Sequence, residues 1–366
     1  MSVFNSPTAT LSGRRVLFVH NWRCAGSTIN SLLSSNFGEL YTKVGTQFTD
    51  AGWPDYNLPE LLSVDQVRKK FINGGILGGH LCTGVESVIG GSWDIWMNAR
   101  KPLKRLSSGI MRFHASKFRA VSGSYTRQQA MDMANHKLGN LIAGPLQHEV
   151  NGVAKRLAGF AVADSIDLRD DSNLEKVSCF SMSLDDDVLL GAALRQMERV
   201  KVIIIPEYLH ASLISIEKIY SLRPIINLFS DLRHNPVSLG KPRKEEEALF
   251  ELAKPMLEKA CAVDRDLWKP LMSRFKEQVE SVRVVKRDVQ VREILHRQPL
   301  VPAGYSSHET SDEKLIDTIT ASLIALADQN QELARDIISL ACAWQRFAPE
   351  AAAEIESRAF HALRLS

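Results

Sequence analysis

The chain has 366 residues, 45% hydrophobic and 24% charged, a globular composition with room for one large domain and an appendage; it excludes disorder, a collagen-like repeat and a mini-protein scaffold. Forty-five Lys and Arg against 42 Asp and Glu leave a formal charge of +3. That surplus is too small for nucleic-acid binding by bulk field, so any phosphate site has to be a local cluster.

The amino-terminal stretch MSVFNSPTATLSGRR contains no apolar run of the kind a secretory signal needs. No window reaches the roughly 18 uninterrupted apolar residues of a membrane helix. The five cysteines (Cys24, Cys82, Cys179, Cys261 and Cys342) stand far apart with no CxxC pairing. They indicate neither a disulfide framework nor a zinc site. The expectation is a cytoplasmic protein without integral membrane association.

In chain order, Val16-Leu17-Phe18-Val19-His20 is a short apolar run rich in β-formers, as expected for a strand buried on both faces of a parallel sheet. Asn21 to Thr28 form a turn, and the spacing of Ile29, Leu32 and Leu33 suits a helix starting near Ser27. Gly75 to His80 is a second strand candidate, with small residues that allow close backbone approach and His80 at its carboxyl end. Trp93 to Ala99 is a third, followed by Arg100, and Pro102 opens a helix expected to run to Phe118. Tyr125 to Ala158 is mostly helical in pattern, and Val200 to Ile205 is the clearest late strand. This alternation predicts an α/β fold, a parallel sheet flanked by helices. Residues 234–247 form a basic loop containing Lys241, Arg243 and Lys244, and helix follows to about Lys276. The composition then changes. Residues 277–366 read as an accessory helical extension, with Ser311 capping a long region whose apolar positions include Leu315, Ile316, Ile319, Leu323 and Leu326. The domain expectation is therefore 1–276 and 277–366.

A turn containing glycine between a buried strand and a helix aims backbone N–H groups and the positive helix end at one point, which suits a phosphate. Arg23 adds a full charge there. The loop lacks the leading glycine and the lysine of GxxxxGK followed by Ser or Thr, which disfavours an ATP or GTP hydrolase.

The run Val19 to Thr28 resembles the "HIPKTAGTS" segment of sulfotransferases that use 3′-phosphoadenosine 5′-phosphosulfate (PAPS), closest to the carbohydrate branch of the heparan and uronyl 2-O type. Ala99 to Ser108 is similar in spacing to that family's "LRDPVERxxSxY" element, and Gly78-Gly79-His80 to its "GH" segment. The likeness covers about residues 14–275. Arg23 stands where lysine is commoner, Asn21-Trp22 replaces an apolar-proline pair, and Lys101 replaces an acid. The resemblance implies a P-loop-like fold and a 5′-phosphosulfate site at Arg23, Cys24, Ala25, Gly26, Ser27 and Thr28. It also implies a 3′-phosphate site at Arg100 and Ser108, with Lys241 and Arg243 in a late loop over the nucleotide.

The expected chemistry is in-line sulfuryl transfer to a hydroxyl-bearing acceptor, a glycan ahead of a small metabolite or lipid, with PAP as product and no metal. His80 would act as base and Arg23 would stabilise the leaving phosphate. His20 is expected to be structural, His114 and Glu149 are reserve bases, and Arg105 is either a further phosphate contact or a helix-surface charge. Two other readings stand beside this one: a P-loop nucleotide or metabolite kinase needing ATP and Mg²⁺, and a catalytically degenerate nucleotide-binding scaffold whose helical tail recruits partners. The tail's apolar stripes are expected to dock either on the catalytic domain or on a second copy of the chain, as a homo-oligomer.

Overall fold

The computed structural model describes residues 11, 13–43, 47–48, 54–55, 69, 71–79, 83, 86, 90–108, 150–163, 184–222, 225, 251, 254–295, 320–321, 323–325, 327–328, 334, 337–338 and 349–364. Strand β1 (Arg15–Val19) leads into helix α1 (Gly26–Phe37) and the short strand β2 (Tyr41–Lys43). A two-residue antiparallel pair, β3 (Gln47–Phe48) and β4 (Pro54–Asp55), precedes β5 (Gly75–Gly79) and β6 (Asp94–Asn98). Residues 102–108 are helical. Then come α2 (Gly152–Ala163), α3 (Asp186–Met197), β7 (Val200–Ile204), a 3-10 turn at Pro206–Tyr208 and α4 (Leu209–Tyr220). Helices α5 (Ala262–Ser281), α6 (Lys286–Leu295) and α7 (Pro349–Arg364) follow.

Five strands form one parallel sheet in the order β2-β5-β1-β6-β7. Successive side chains on a strand point to opposite faces, so a strand that is apolar throughout has two cores to fill. Leu17 and Val19 of β1 join Leu77, Ile95, Met97 and Ile203 beneath α2, α3 and α5. Val16 and Phe18 join Ile76, Trp96, Val202 and Ile204 beneath α1 and α4. The result is a three-layer α/β arrangement, as the sequence predicts. Four of the five strands match the expected segments to within a residue or two at each end. Strand β2 was not expected: only Tyr41 of its three residues is buried, so it carries no period to read.

The layer over the Leu17 face is tied together by polar groups. Asp264, buried near the start of α5, accepts from the N–H of Val153 (3.3 Å) and of Ala154 (2.8 Å) in the first turn of α2. Asn151, just ahead of α2, returns the arrangement by accepting from the N–H of Val263 at 3.1 Å and of Asp264 at 3.4 Å. Each helix start thus supplies the other's cap, which satisfies N–H groups that a helix cannot bond internally. Arg105, completely buried, donates to Asp264 Oδ2 at 3.1 Å. Its role is therefore neither phosphate contact nor surface charge; it neutralises the one carboxylate on which two helix starts converge.

The boundary expected at 276/277 falls inside α5, which continues unbroken to Ser281. Helix α6, assigned by sequence to the extension, is anchored on α4. Arg292 donates to Glu217 Oε2 at 2.5 Å and to the Ile225 carbonyl at 3.1 Å, and Glu217 Oε1 accepts from the Ile225 N–H at 2.6 Å. Lys218 reinforces the joint through the Arg283 carbonyl and Asp288.

Burial pushes the Glu217 carboxyl up to about 7 from its ordinary 4.5, against the pull of Arg292, the Ile225 N–H and Lys218, with Asp288 adding to the rise. Between those two values the folded chain holds more proton at Glu217 than the unfolded chain, so this group's contribution to stability falls as pH rises through the window. Thermal melts of wild type and Glu217→Gln should therefore differ progressively between about pH 5 and about pH 8, the wild type losing ground to the variant as pH rises. A difference that is flat across that range would contradict the assignment.

Candidate functional site

The chain leaves β1 at Val19 and enters α1 at Gly26. The reversal puts Arg23 (φ 60°) and Ala25 (φ 57°) in the left-handed region, a conformation that residues with a Cβ adopt at a cost of about 1–3 kcal/mol each. Ala25, left-handed, is followed directly by helical Gly26, the alternation that turns successive N–H groups toward one concave point. Helix α1 has no side-chain cap and no acidic residue in its first turn. The positive end of its dipole is therefore not offset by its own sequence.

Two contacts hold this loop. His20 is buried, stacks on Phe18 at 6.0 Å between ring centroids, and lies 3.5 Å from Asn30 Nδ2, while Asn30 Oδ1 accepts from the Tyr41 hydroxyl at 2.7 Å. Its ring covers Gly26 so closely that a Cβ there would sit 1.4 Å from His20 Nε2. The packing role expected for His20 is thus visible, and it explains why position 26 is glycine. The second contact comes from the next strand. Asn98, the last residue of β6, accepts the Asn21 N–H at 2.6 Å and donates to the Cys24 carbonyl at 2.7 Å, and Asn21 Nδ2 donates to the Asn98 carbonyl at 2.5 Å.

The sheet order explains why these groups meet. The chain leaves β1 toward β2 on one side and leaves β6 toward β7 on the other, so the crevice between β1 and β6 is the point where the connections diverge. Ligands of open α/β sheets bind at such a point, outside the carboxyl ends of the strands. Arg23, half-buried, lies there with its guanidinium over the Trp22 ring at 4.7 Å. Cys24 is buried, and Gly26, Ser27 and Thr28 make the first turn of α1.

Arg100 follows two residues after Asn98, at the same sheet edge. Ala99 extends the pairing of β6 with β7 through its N–H to the Ile204 carbonyl at 2.9 Å. Arg100 Nε donates to Glu207 Oε1 at 3.1 Å, with both side chains about 30% accessible or less. That bond uses one edge of the planar fork and leaves the terminal nitrogens for a second anion. Ser108 is half-buried at the far end of helical residues 102–108, about 9 Å along the axis from Pro102 at 1.5 Å per residue. Lys101 is exposed. His80, His114, Glu149, Lys241 and Arg243 lie outside the described residues.

Two residues of this edge were not anticipated. Asn98 had a faint signal, a polar residue closing an otherwise apolar strand. Glu207 had none, because its relevance depends on which strand lies beside β6. Among the described residues no His, Cys, Asp and Glu group could hold a metal, and no helix is long and apolar enough to cross a membrane. No protein-family model, no curated protein and no solved structure matches the chain.

The His20–Gly26 contact gives a direct test. Gly26→Ala should destabilise the fold, by about 1–3 kcal/mol if it behaves as ordinary overpacking. Adding His20→Ala should recover part of that loss in denaturant melts. A stable Gly26→Ala chain with His20 intact would show that the ring does not constrain the loop.

Proposed function

We propose that the protein is a PAPS-dependent O-sulfotransferase, moving a sulfuryl group to an acceptor hydroxyl, with a glycan the favoured acceptor class. One observation carries this reading. An uncapped helix start with a left-handed loop and Arg23 lies at the crevice between β1 and β6, and Arg100 emerges from the neighbouring strand end. PAPS has anionic groups at the 5′ and 3′ positions of one ribose and needs two anion sites held a fixed distance apart. The motif resemblance at Val19 to Thr28 and Ala99 to Ser108 assigns the ends: the loop takes the 5′-phosphosulfate, and Arg100 with Ser108 takes the 3′-phosphate.

In this scheme the acceptor oxygen attacks sulfur in line. The S–O bond to the acceptor forms as the bond from sulfur to the bridging phosphate oxygen breaks, and PAP leaves with that oxygen's charge. A hydroxyl is a weak nucleophile at neutral pH, so a base has to take its proton as the bond forms. His80, which follows Gly79 at the end of β5, fills that role. The N–H groups at the start of α1 and the Arg23 guanidinium face an oxygen whose charge grows in the transition state, which is where fixed donors lower a barrier most. A kinase would use a similar strand-loop-helix unit, but its phosphate loop carries a lysine that this chain lacks.

Calorimetric titration with PAP, AMP, ADP and Mg·ATP tests the assignment. PAP should bind with a Kd on the order of micromolar. Arg100→Ala should weaken PAP by about 10- to 100-fold, the range for hydrogen bonds to a charged group, and leave AMP nearly unaffected. His80→Ala should lower sulfuryl transfer by about 10²- to 10⁴-fold without changing PAP affinity. Binding of ATP as tight as PAP, or indifference to Arg100, would overturn the assignment.

A further inference from the structure

We infer that Asn98 is a positioning residue that sets the anion-binding form of the loop from His20 to Ala25 and couples it mechanically to Arg100. The inference rests on the sulfotransferase reading for the identity of the ligand, but not for the coupling itself.

Asn98 spends its whole amide on the loop. Its Oδ1 takes the Asn21 N–H and its Nδ2 gives to the Cys24 carbonyl, so the two bonds bracket the left-handed Arg23. Its own carbonyl takes Asn21 Nδ2, and the Cys24 N–H closes the same turn on the Asn21 carbonyl at 3.3 Å. Both asparagines are completely buried, so water does not compete for these bonds.

The consequence follows from peptide planarity. The C=O of residue 24 and the N–H of residue 25 belong to one rigid plane and point in opposite directions. Drawing the Cys24 carbonyl onto Asn98 therefore turns the Ala25 N–H away from Asn98 and holds it there. The Ala25 N–H is the first of the run that continues into α1, so Asn98 aims the donors without itself facing a ligand. Arg100 is two residues past the end of the same strand, where the Ala99 N–H still pairs with β7, so the loop and Arg100 keep one spacing.

Asn21 strengthens the case. Its Oδ1 is buried with no hydrogen-bond partner, a penalty an apolar side chain at position 21 would avoid. An asparagine that forgoes one bond here is explained by the bond its Nδ2 makes to β6. Aspartate cannot replace Asn98, because a carboxylate accepts from the Asn21 N–H but has no donor for the Cys24 carbonyl.

The test uses the full chain and three variants, Asn98→Ala, Asn98→Asp and Asn21→Ala, with PAP and adenosine 3′-phosphate as probes. Asn98→Ala should weaken PAP by about 10- to 100-fold and adenosine 3′-phosphate, which lacks the 5′ group, by less than about threefold. Asn98→Asp should be at least as impaired. Asn21→Ala, which keeps both Asn98 side-chain bonds, should lose less. Hydrogen exchange read on the free protein should show amides of residues 21–25 opening about tenfold faster or more in Asn98→Ala, with Val16–Val19 unchanged. Equal weakening of both nucleotides, or unchanged loop exchange, would overturn the inference. If Asn98→Ala does not fold, Asn98→Asp, which keeps the acceptor for the Asn21 N–H and loses the donor to the Cys24 carbonyl, decides by the same two readouts. If wild type binds neither nucleotide, the sulfotransferase reading falls, and the loop exchange alone decides the coupling.

Discussion

Six residues, His20 to Ala25, carry the chain from a buried parallel strand into a helix, and they do so through two left-handed residues that bear side chains. Such a loop does not hold its shape by local preference. It is held from outside by the Asn98 amide across the sheet edge, and at its own two ends by the His20 ring pressed on Gly26. Everything proposed for this protein depends on that support, because backbone donors stabilise a developing anion only if their orientation is settled before the charge appears.

The ionic groups divide into two kinds. Arg105 with Asp264, and Arg292 with Glu217, are buried pairs whose carboxylates also accept backbone N–H groups, from Ala154 and Ile225 respectively. Removing one partner from such a pair leaves a charge in a medium that cannot solvate it, so these pairs join elements rather than bind ligands. Arg23 and Arg100 differ in place and exposure: both lie at the carboxyl edge of the sheet, partly open to solvent, one against an aromatic ring and the other against Glu207 at one edge of its fork. A charge held in position while part of it still meets water is suited to an incoming anion.

The same polar joints fix how α5 and α6 are attached. Helix α5 delivers Asp264 to the start of α2 and then continues past the composition change near residue 277. Helix α6 is attached to α4 through Glu217 and Arg292. The shift from core-like to charge-alternating sequence falls within α5 and on α6, helices with exposed outer positions. An amphipathic helix covering another helix exposes most of its circumference, and its composition reflects that exposure.

Legible in the residues alone are the strands that are apolar on both faces, the strand-turn-helix unit at Val19 to Thr28, the α/β class, and Arg23 and Arg100 as strand-end cations. Each is written locally, in a short period or in a motif of about ten residues. It takes the folded chain to bring Asn21 to Asn98, 77 positions away, to turn Arg105 inward to Asp264, to set Glu207 against Arg100, and to make Tyr41 to Lys43 an edge strand. Those pairings follow from the order in which parallel strands are laid down, β2-β5-β1-β6-β7. That order is set by packing two hydrophobic layers at once, and it leaves no period in the residues it brings together.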